Sequence, residues 1–190
     1  MARYSPEHAA TVRSEILSEA AAVLRASGPA KLSISSLMKR LGLTHGGFYR
    51  HFASRDALVS EAAAQALARG VRHVQHAMVA RGGGIRALID TYLSPGHRDH
   101  PEAGCAIAAL AGELARLPPE QRAGFSRSLE ETLMLVRMQL PPDHPDPDRA
   151  AIGVLSTMVG GLLISRLAAE PTRAHDVLQA AAAAALATSR

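Results

Sequence analysis

Residues 33–58 read SISSLMKRLGLTHGGFYRHFASRDAL. The stretch divides into two short helices joined by a glycine turn. Ser33 caps a helix whose Ile34, Leu37, Met38 and Leu41 face inward while Ser35, Ser36, Lys39 and Arg40 face out. Gly42 supplies the positive φ of a tight helix-to-helix turn, and Leu43 fills the corner. Thr44 then caps a third helix of about two turns, ending near His51. Phe48 and Phe52 stand four apart and point back into a small core. Left outside are Thr44, His45, Gly47, Tyr49, Arg50 and His51, a polar, glycine and aromatic set where a buried helix carries aliphatic side chains.

Upstream, Ser5 and Pro6 open a first helix with Val12, Ile16, Ala20, Val23 and Leu24 as its apolar stripe, stopped before Gly28-Pro29. Downstream, Ser54 caps a fourth helix that continues past Val79 to Gly82-Gly83-Gly84, with Asp56 in its first turn. A fifth follows over 86–93. The breaker-rich segment 95–104 is expected as a loop, and Cys105 begins a helix through Leu114. Phe125, Leu129, Leu133, Val136 and Leu140 mark another helix after Pro118-Pro119, and a proline-rich connection covers 141–148. Two last helices span about 149–169 and 172–188. No segment alternates strictly, and β-branched residues are sparse. The expected fold is all-α, about nine helices, with an N-terminal helix-turn-helix unit over 1–53 and a second helical unit over 54–190.

Charge is unevenly placed. Residues 1–56 hold eight Lys or Arg against four acids, whereas the remainder holds 13 of each, so the whole excess of +4 lies in the N-terminal third. Such an excess suits a polyanion, because neutralising phosphates releases condensed counterions. Arg13, Glu15 and Glu19 interrupt any early apolar run, and the weakly charged stretch between Arg149 and Arg166 falls short of the ~20 residues of a membrane span. Cys105 is the single cysteine, which excludes an internal disulfide and fits a reducing compartment. A cytoplasmic protein is expected. There is no serine nucleophile elbow, phosphate loop or HExxH pair, so an enzyme is not expected. His97, His100 and Cys105, and His73 with His76, have spacings a metal would accept, but no fourth ligand accompanies them. No metal or other cofactor is expected.

The helix before the hairpin, the run LTHGGFYRHFASRDAL and the long helix after it resemble the TetR family of bacterial transcription regulators. Thr44, Gly46, Gly47, Phe48, Tyr49, His51, Phe52, Ser54, Arg55, Asp56 and Leu58 fit the family pattern, and the likeness covers about residues 12–60. It implies a homodimer whose third helices enter successive major grooves of a roughly palindromic operator. On that reading Thr44 and His45 reach base edges or phosphates, and Gly46 and Gly47 admit the duplex closely. Ser35, Lys39, Tyr49, Arg50, His51 and Arg55 complete the DNA-binding set. The resemblance also implies a repressor released by a small-molecule effector bound in the second unit, with Leu93, His97, Cys105, Leu110, Leu133, Arg137 and Met158 as cavity candidates. GCAIAALAGEL is similar to a helix start in electrophile-responsive members, which makes Cys105 a candidate sensor of electrophiles or oxidants. The dimer seam is expected at Ile152, Leu155, Val159, Leu162, Leu163, Val177, Leu178, Ala181 and Ala185. A constitutive DNA-binding protein and a thiol-dependent enzyme are the alternatives.

Overall fold

The computed structural model describes residues 6–190, so the cap expected at Ser5 lies outside the described residues. Among them are nine α-helices and no strand. Helix α1 (Pro6–Ser27) buries Val12, Ile16, Leu17, Ala20, Ala21 and Leu24 along one face and ends where Gly28 takes φ 75°. Helix α2 (Ile34–Arg40) starts at Ser33, whose Oγ accepts from the Ser36 N–H at 3.3 Å. It ends in a glycine cap: Gly42 N–H donates to the Lys39 carbonyl at 3.1 Å and Leu43 N–H to the Met38 carbonyl at 2.8 Å, with φ 70° at Gly42.

The third helical element is shorter and tighter than expected. Residues His45–Arg50 form a 3-10 helix rather than two α-turns, after a cap in which Thr44 Oγ1 accepts from Gly47 N–H at 3.3 Å. Two consecutive glycines near the start of so short an element weaken α-propagation by about 1 kcal/mol each relative to alanine, which accounts for the tighter winding.

Helix α3 (Arg55–Val79) has Ser54 as its cap, with Oγ accepting from Ala57 N–H at 3.0 Å, and its 25 residues span about 37 Å. Its first half packs on α1 and its length is shared with α4 (Gly84–Tyr92), α6 (Ala106–Leu114) and α7 (Pro119–Arg137). The expected loop at 95–104 is largely helical. Pro95 opens α5 (Pro95–Asp99), where Ser94 Oγ accepts from His97 N–H at 3.2 Å, and Pro101 opens a 3-10 turn. Prolines that break a helix interior are well placed at its first position, and so these breakers became starts.

Helices α8 (Pro147–Leu167) and α9 (Pro171–Thr188) make the most extensive pair. At 21 residues, with an 18-residue window of mean hydropathy 1.7, α8 is long and apolar enough to cross a bilayer, yet 44% of that window is buried in the fold. Val154, Leu155, Met158 and Leu162 put its apolar face into the core. One continuous buried cluster runs from Val12 to Ala185, so the hairpin and the rest of the chain share α1 and α3 as common walls.

Candidate nucleic-acid interface and sensor cleft

Phe48 is fully buried and stacks on Phe52 with ring centroids 5.5 Å apart, turning the next residue outward. Tyr49 is 59% exposed and is held edge-on between Phe48 and His45, at 5.1 and 5.9 Å. Ser35, Lys39, Thr44, His45, Gly46 and Arg50 are exposed, Gly47 and His51 half-buried. A methyl on Gly47 would come within 3.4 Å of Thr44 Oγ1, whereas one on Gly46 would meet nothing within 4 Å. Gly46 is therefore not required by internal packing. Met38, Gly42, Thr44, Gly46, Gly47, Arg50 and His51 line a shallow groove between the two short helices. Burial, followed by the charges of Arg13 and Arg50, lowers the His51 pKa, so at neutral pH its imidazole is neutral and offers a hydrogen bond rather than a charge.

Two of the basic residues in this region have structural partners. Arg55 Nε donates to the Leu32 carbonyl at 3.1 Å and its Nη2 to the Pro29 carbonyl, so the guanidinium ties α3 to the turn before α2. Its Nη1 lies 3.8 Å from Asp56 Oδ1, so Arg55 has a structural tie at the edge of the surface where a DNA contact is expected of it. Arg40 pairs with Glu19 at 2.5 Å. Arg13, which no sequence signal marked, caps this unit from α1. Its guanidinium lies 4.7 Å over the Phe52 ring, contacts Glu61, and donates to the His51 carbonyl at 3.4 Å.

The second site lies around the start of α6. Cys105 is its cap residue and is buried. Its backbone N–H donates to His97 Nε2 at 2.9 Å, which fixes the other nitrogen, Nδ1, as the protonated one donating to the Tyr92 carbonyl at 2.7 Å. Arg166 holds the same segment from α8, with Nη2 on the His97 carbonyl at 2.9 Å and Nε on the Arg98 carbonyl at 3.0 Å. A methyl on Gly104 would press on both the His97 ring at 3.0 Å and Arg166 at 3.2 Å. Both imidazole nitrogens of His97 are thus engaged, which leaves none for a metal. Among the described residues no group of three or more His, Cys, Asp or Glu is placed to hold one.

Burial lowers the His97 pKa; the Tyr92 carbonyl opposes it, and Arg166 and His73 add lesser contributions to the lowering. The unfolded chain therefore binds this proton more readily. Stability carried by His97 is complete above its ordinary value of about 6.5 and is lost as pH falls below it towards the folded value. Urea midpoints should drop between pH 7 and 5. A His97→Gln variant should be less stable at pH 7 but flatter across that window, with His51 leaving a residual slope of the same sign. An unaltered slope would contradict the assignment.

The seven cavity candidates do not converge. His97 and Cys105 line a cleft between α3 and the 94–105 segment, and Cys105 and Met158 line a small apolar cavity behind it. Leu93 and Leu110 are core residues that line neither. Leu133 and Arg137 lie on an outer depression between α7 and α8, where Arg137 Nε meets Asp148 Oδ1 at 2.6 Å. Helical phase alone did not show which side of α7 turns inward. The seam candidates also split. Ile152 and Leu163 are exposed, Val159, Val177 and Ala181 half-buried, while Leu155, Leu162, Leu178 and Ala185 are buried within the chain and unavailable to a partner. Exposed instead on the same side are Ile164, Leu167 at 85%, and the alanines 180, 183, 184 and 187.

Residues 16–62 match the model of the family described as bacterial regulatory proteins, tetR family. No curated protein sequence gives a significant match. Among solved structures, a TetR-family transcriptional regulator from Cytophaga hutchinsonii superposes with a TM-score of 0.78 at 17% identity, covering 94% of this chain and 95% of its own. A TetR transcriptional regulator from Chloroflexus aurantiacus gives 0.70 at 24% identity, with 93% and 95% covered. The reduced form of NemR from Escherichia coli gives 0.71 at 17% identity, with 91% and 94% covered. Likeness at these identities is likeness of fold.

Proposed function

We infer, from the match of residues 16–62 to the tetR family of bacterial regulatory proteins and from the fold, that the chain is a dimeric DNA-binding transcription regulator, a repressor that leaves a roughly palindromic operator when a small molecule binds its second unit. The observation that carries the reading is the outward row of Lys39, Thr44, His45, Tyr49 and Arg50 on a hairpin whose back is anchored by Phe48 and Phe52. Thr44 and His45 stand at the open end of the 45–50 helix, and Gly46 leaves its backbone bare to an approaching duplex. Residues 1–53 form the DNA-binding unit and 54–190 the sensing and dimerising unit, in the cytoplasm of a bacterium. The dimer seam is built on the exposed apolar stripe of α8, Ile152, Leu163, Ile164 and Leu167, beside the small residues of α9, whose size allows close helix approach.

The two units are mechanically tied near the cleft. Arg25 of α1 donates to the Glu102 carbonyl at 2.5 Å, and Arg69 of α3 donates to Ser18 Oγ of α1 at 2.6 Å. A change at the 97–105 segment therefore acts on α1 and α3 together, and these position the recognition helices. Release requires the effector to prefer the non-binding state by roughly 1–3 kcal/mol or more. Cys105, at the start of α6 and on the wall of both cavities, is where an electrophile or oxidant would act.

The test is a gel shift on DNA flanking the coding region across a salt series. Affinity should fall steeply and log-linearly with salt, and Tyr49→Ala should weaken it about tenfold without moving the thermal midpoint. Salt-insensitive binding, or none to any flanking fragment, would sink the reading. For the sensor, Cys105→Ser should abolish release by electrophiles; unchanged release would remove Cys105 from the mechanism.

A further inference from the structure

One wall of α3 differs from the rest of the helix. Gly70, His73, Val74 and Ala77 follow at steps of three or four and, with Arg81 in the turn just beyond the helix, line a cleft of about 330 Å³, opposite Thr91, Ser94 and the 96–105 segment. That volume lies at the lower end of the range for small-molecule sites. Behind it is an apolar cavity of about 30 Å³ bordered by Leu88, Tyr92, Val136 and Met158, and Gly70, Val74 and Cys105 belong to the walls of both.

Three observations there point to one kind of occupant. The first is charge: Arg81, His73 and His100 line the cleft, and no carboxylate does among the described residues. Arg81 has no acidic partner among the described residues, unlike Arg13, Arg40, Arg86, Arg98 and Arg137, and only His100 has one nearby, Glu102 at 3.3 Å. The second is a pair of adjacent buried hydroxyls on residues of the two walls: Thr91 Oγ1 has no hydrogen-bond partner, and Tyr92 OH has only the Cys105 thiol beside it. Tyr92 is 5% exposed, and an unmet buried hydroxyl costs about 1–3 kcal/mol. The third is Gly70 itself, a glycine inside a 25-residue helix, where it costs about 1 kcal/mol relative to alanine. A methyl there would stand 3.6 Å from the Gly104 carbonyl and 3.9 Å from Cys105 Cα, ordinary contact distances, so packing does not demand the glycine. What a side chain would take is space on the wall common to cleft and cavity.

We propose that this cleft binds a small amphipathic organic acid, with its carboxylate at Arg81 and His73, its apolar body along Val74 and Ala77, and an oxygen at its inner end accepting from Tyr92. From Gly70 to the end of α3 at Val79 is about 13 Å of rise, and Arg81 follows in the turn just beyond, so a ligand about 10 Å long fits along this wall. Burial holds the Tyr92 phenol neutral, well above its ordinary range, so it remains a donor. This assignment rests on reading the chain as an effector-responsive regulator, but binding is measured without DNA.

Titration calorimetry on the full chain would use hydroxyphenylpropionate, the same acid without its hydroxyl, and the hydroxylated amide. The hydroxy acid should bind about tenfold more tightly than the amide. Arg81→Gln should remove that difference while leaving the amide unaffected. Tyr92→Phe should erase the preference for the inner hydroxyl, and Gly70→Ala should raise the thermal midpoint yet weaken the acid. Equal affinity for acid and amide, or binding of none of the three, overturns the proposal. Binding of the acid without release of operator DNA would uphold the site and overturn effector release. Release by other compounds with no acid binding would do the reverse.

Discussion

Replacing Phe48 by alanine should cost about 3–5 kcal/mol and abolish DNA binding, the largest single-residue effect expected in this chain. The ring is fully buried, stacks on Phe52 at 5.5 Å and is the only fully buried aromatic among the described residues. It is also the edge against which Tyr49 stands at 5.1 Å, so the cavity left by truncation would release the outward tyrosine as well as the core. Six residues wound as a 3-10 helix have little stability of their own, and the element persists because this ring is driven inward. Phe48→Leu, which keeps most of the volume, should retain both fold and operator binding with a loss of about 1–1.5 kcal/mol. Urea denaturation and gel shifts at equal protein concentration read both. A Phe48→Ala protein with an unchanged midpoint and unchanged affinity would refute the account of how the hairpin is held.

The second large effect is expected where α8 crosses α9. A methyl on Gly161 would stand 2.3 Å from the Cβ of Ala181 and 3.4 Å from Leu93 Cδ2. An alanine Cβ has no rotamer by which to retreat, so the two backbones must separate. Overpacking of this kind costs about 1–3 kcal/mol or more, offset by about 1 kcal/mol of improved helix propensity. Gly161→Ala should therefore lower stability by about 1–2 kcal/mol and loosen the most extensive helix pair in the fold. The neighbouring glycine gives the opposite sign: a methyl on Gly160 meets nothing within 4 Å, and Gly160→Ala should stabilise the single chain by up to about 1 kcal/mol. Sedimentation of both variants adds a second reading, because a seam between copies that runs over Gly160 would be weakened by the same methyl that helps the helix. Loss of stability in Gly160→Ala, or a neutral Gly161→Ala, would show that the α8–α9 approach is not as close as described.

The hairpin was legible from local rules because each of its features acts within a few residues. The Ser33, Thr44 and Ser54 caps each bond a backbone N–H three residues on, and the Gly42 turn closes on Lys39 and Met38. Such interactions depend on sequence spacing alone, as does the four-residue step that stacks Phe48 on Phe52. Local rules failed where two of them competed. The glycine pair at 46–47 tightened a helix expected to be α, and the prolines at 95 and 101 opened helical turns in a segment expected to be loop.

What the sequence by itself determined is the all-helical architecture, the hairpin with its outward polar row, and the basic excess of the first third. Only the tertiary structure decided which donors remain free and which apolar residues remain outside. Two donors of Arg55 go to the carbonyls of Pro29 and Leu32, Arg81 has no acidic partner among the described residues, and Leu155 and Leu178 are core while Ile164 and Leu167 lie open. The reason is the range of the forces involved. Capping and helical phase are settled within one or two turns of chain, whereas a cavity wall or an exposed stripe exists only once helices distant in sequence are packed, as α3 is against the segment around Cys105.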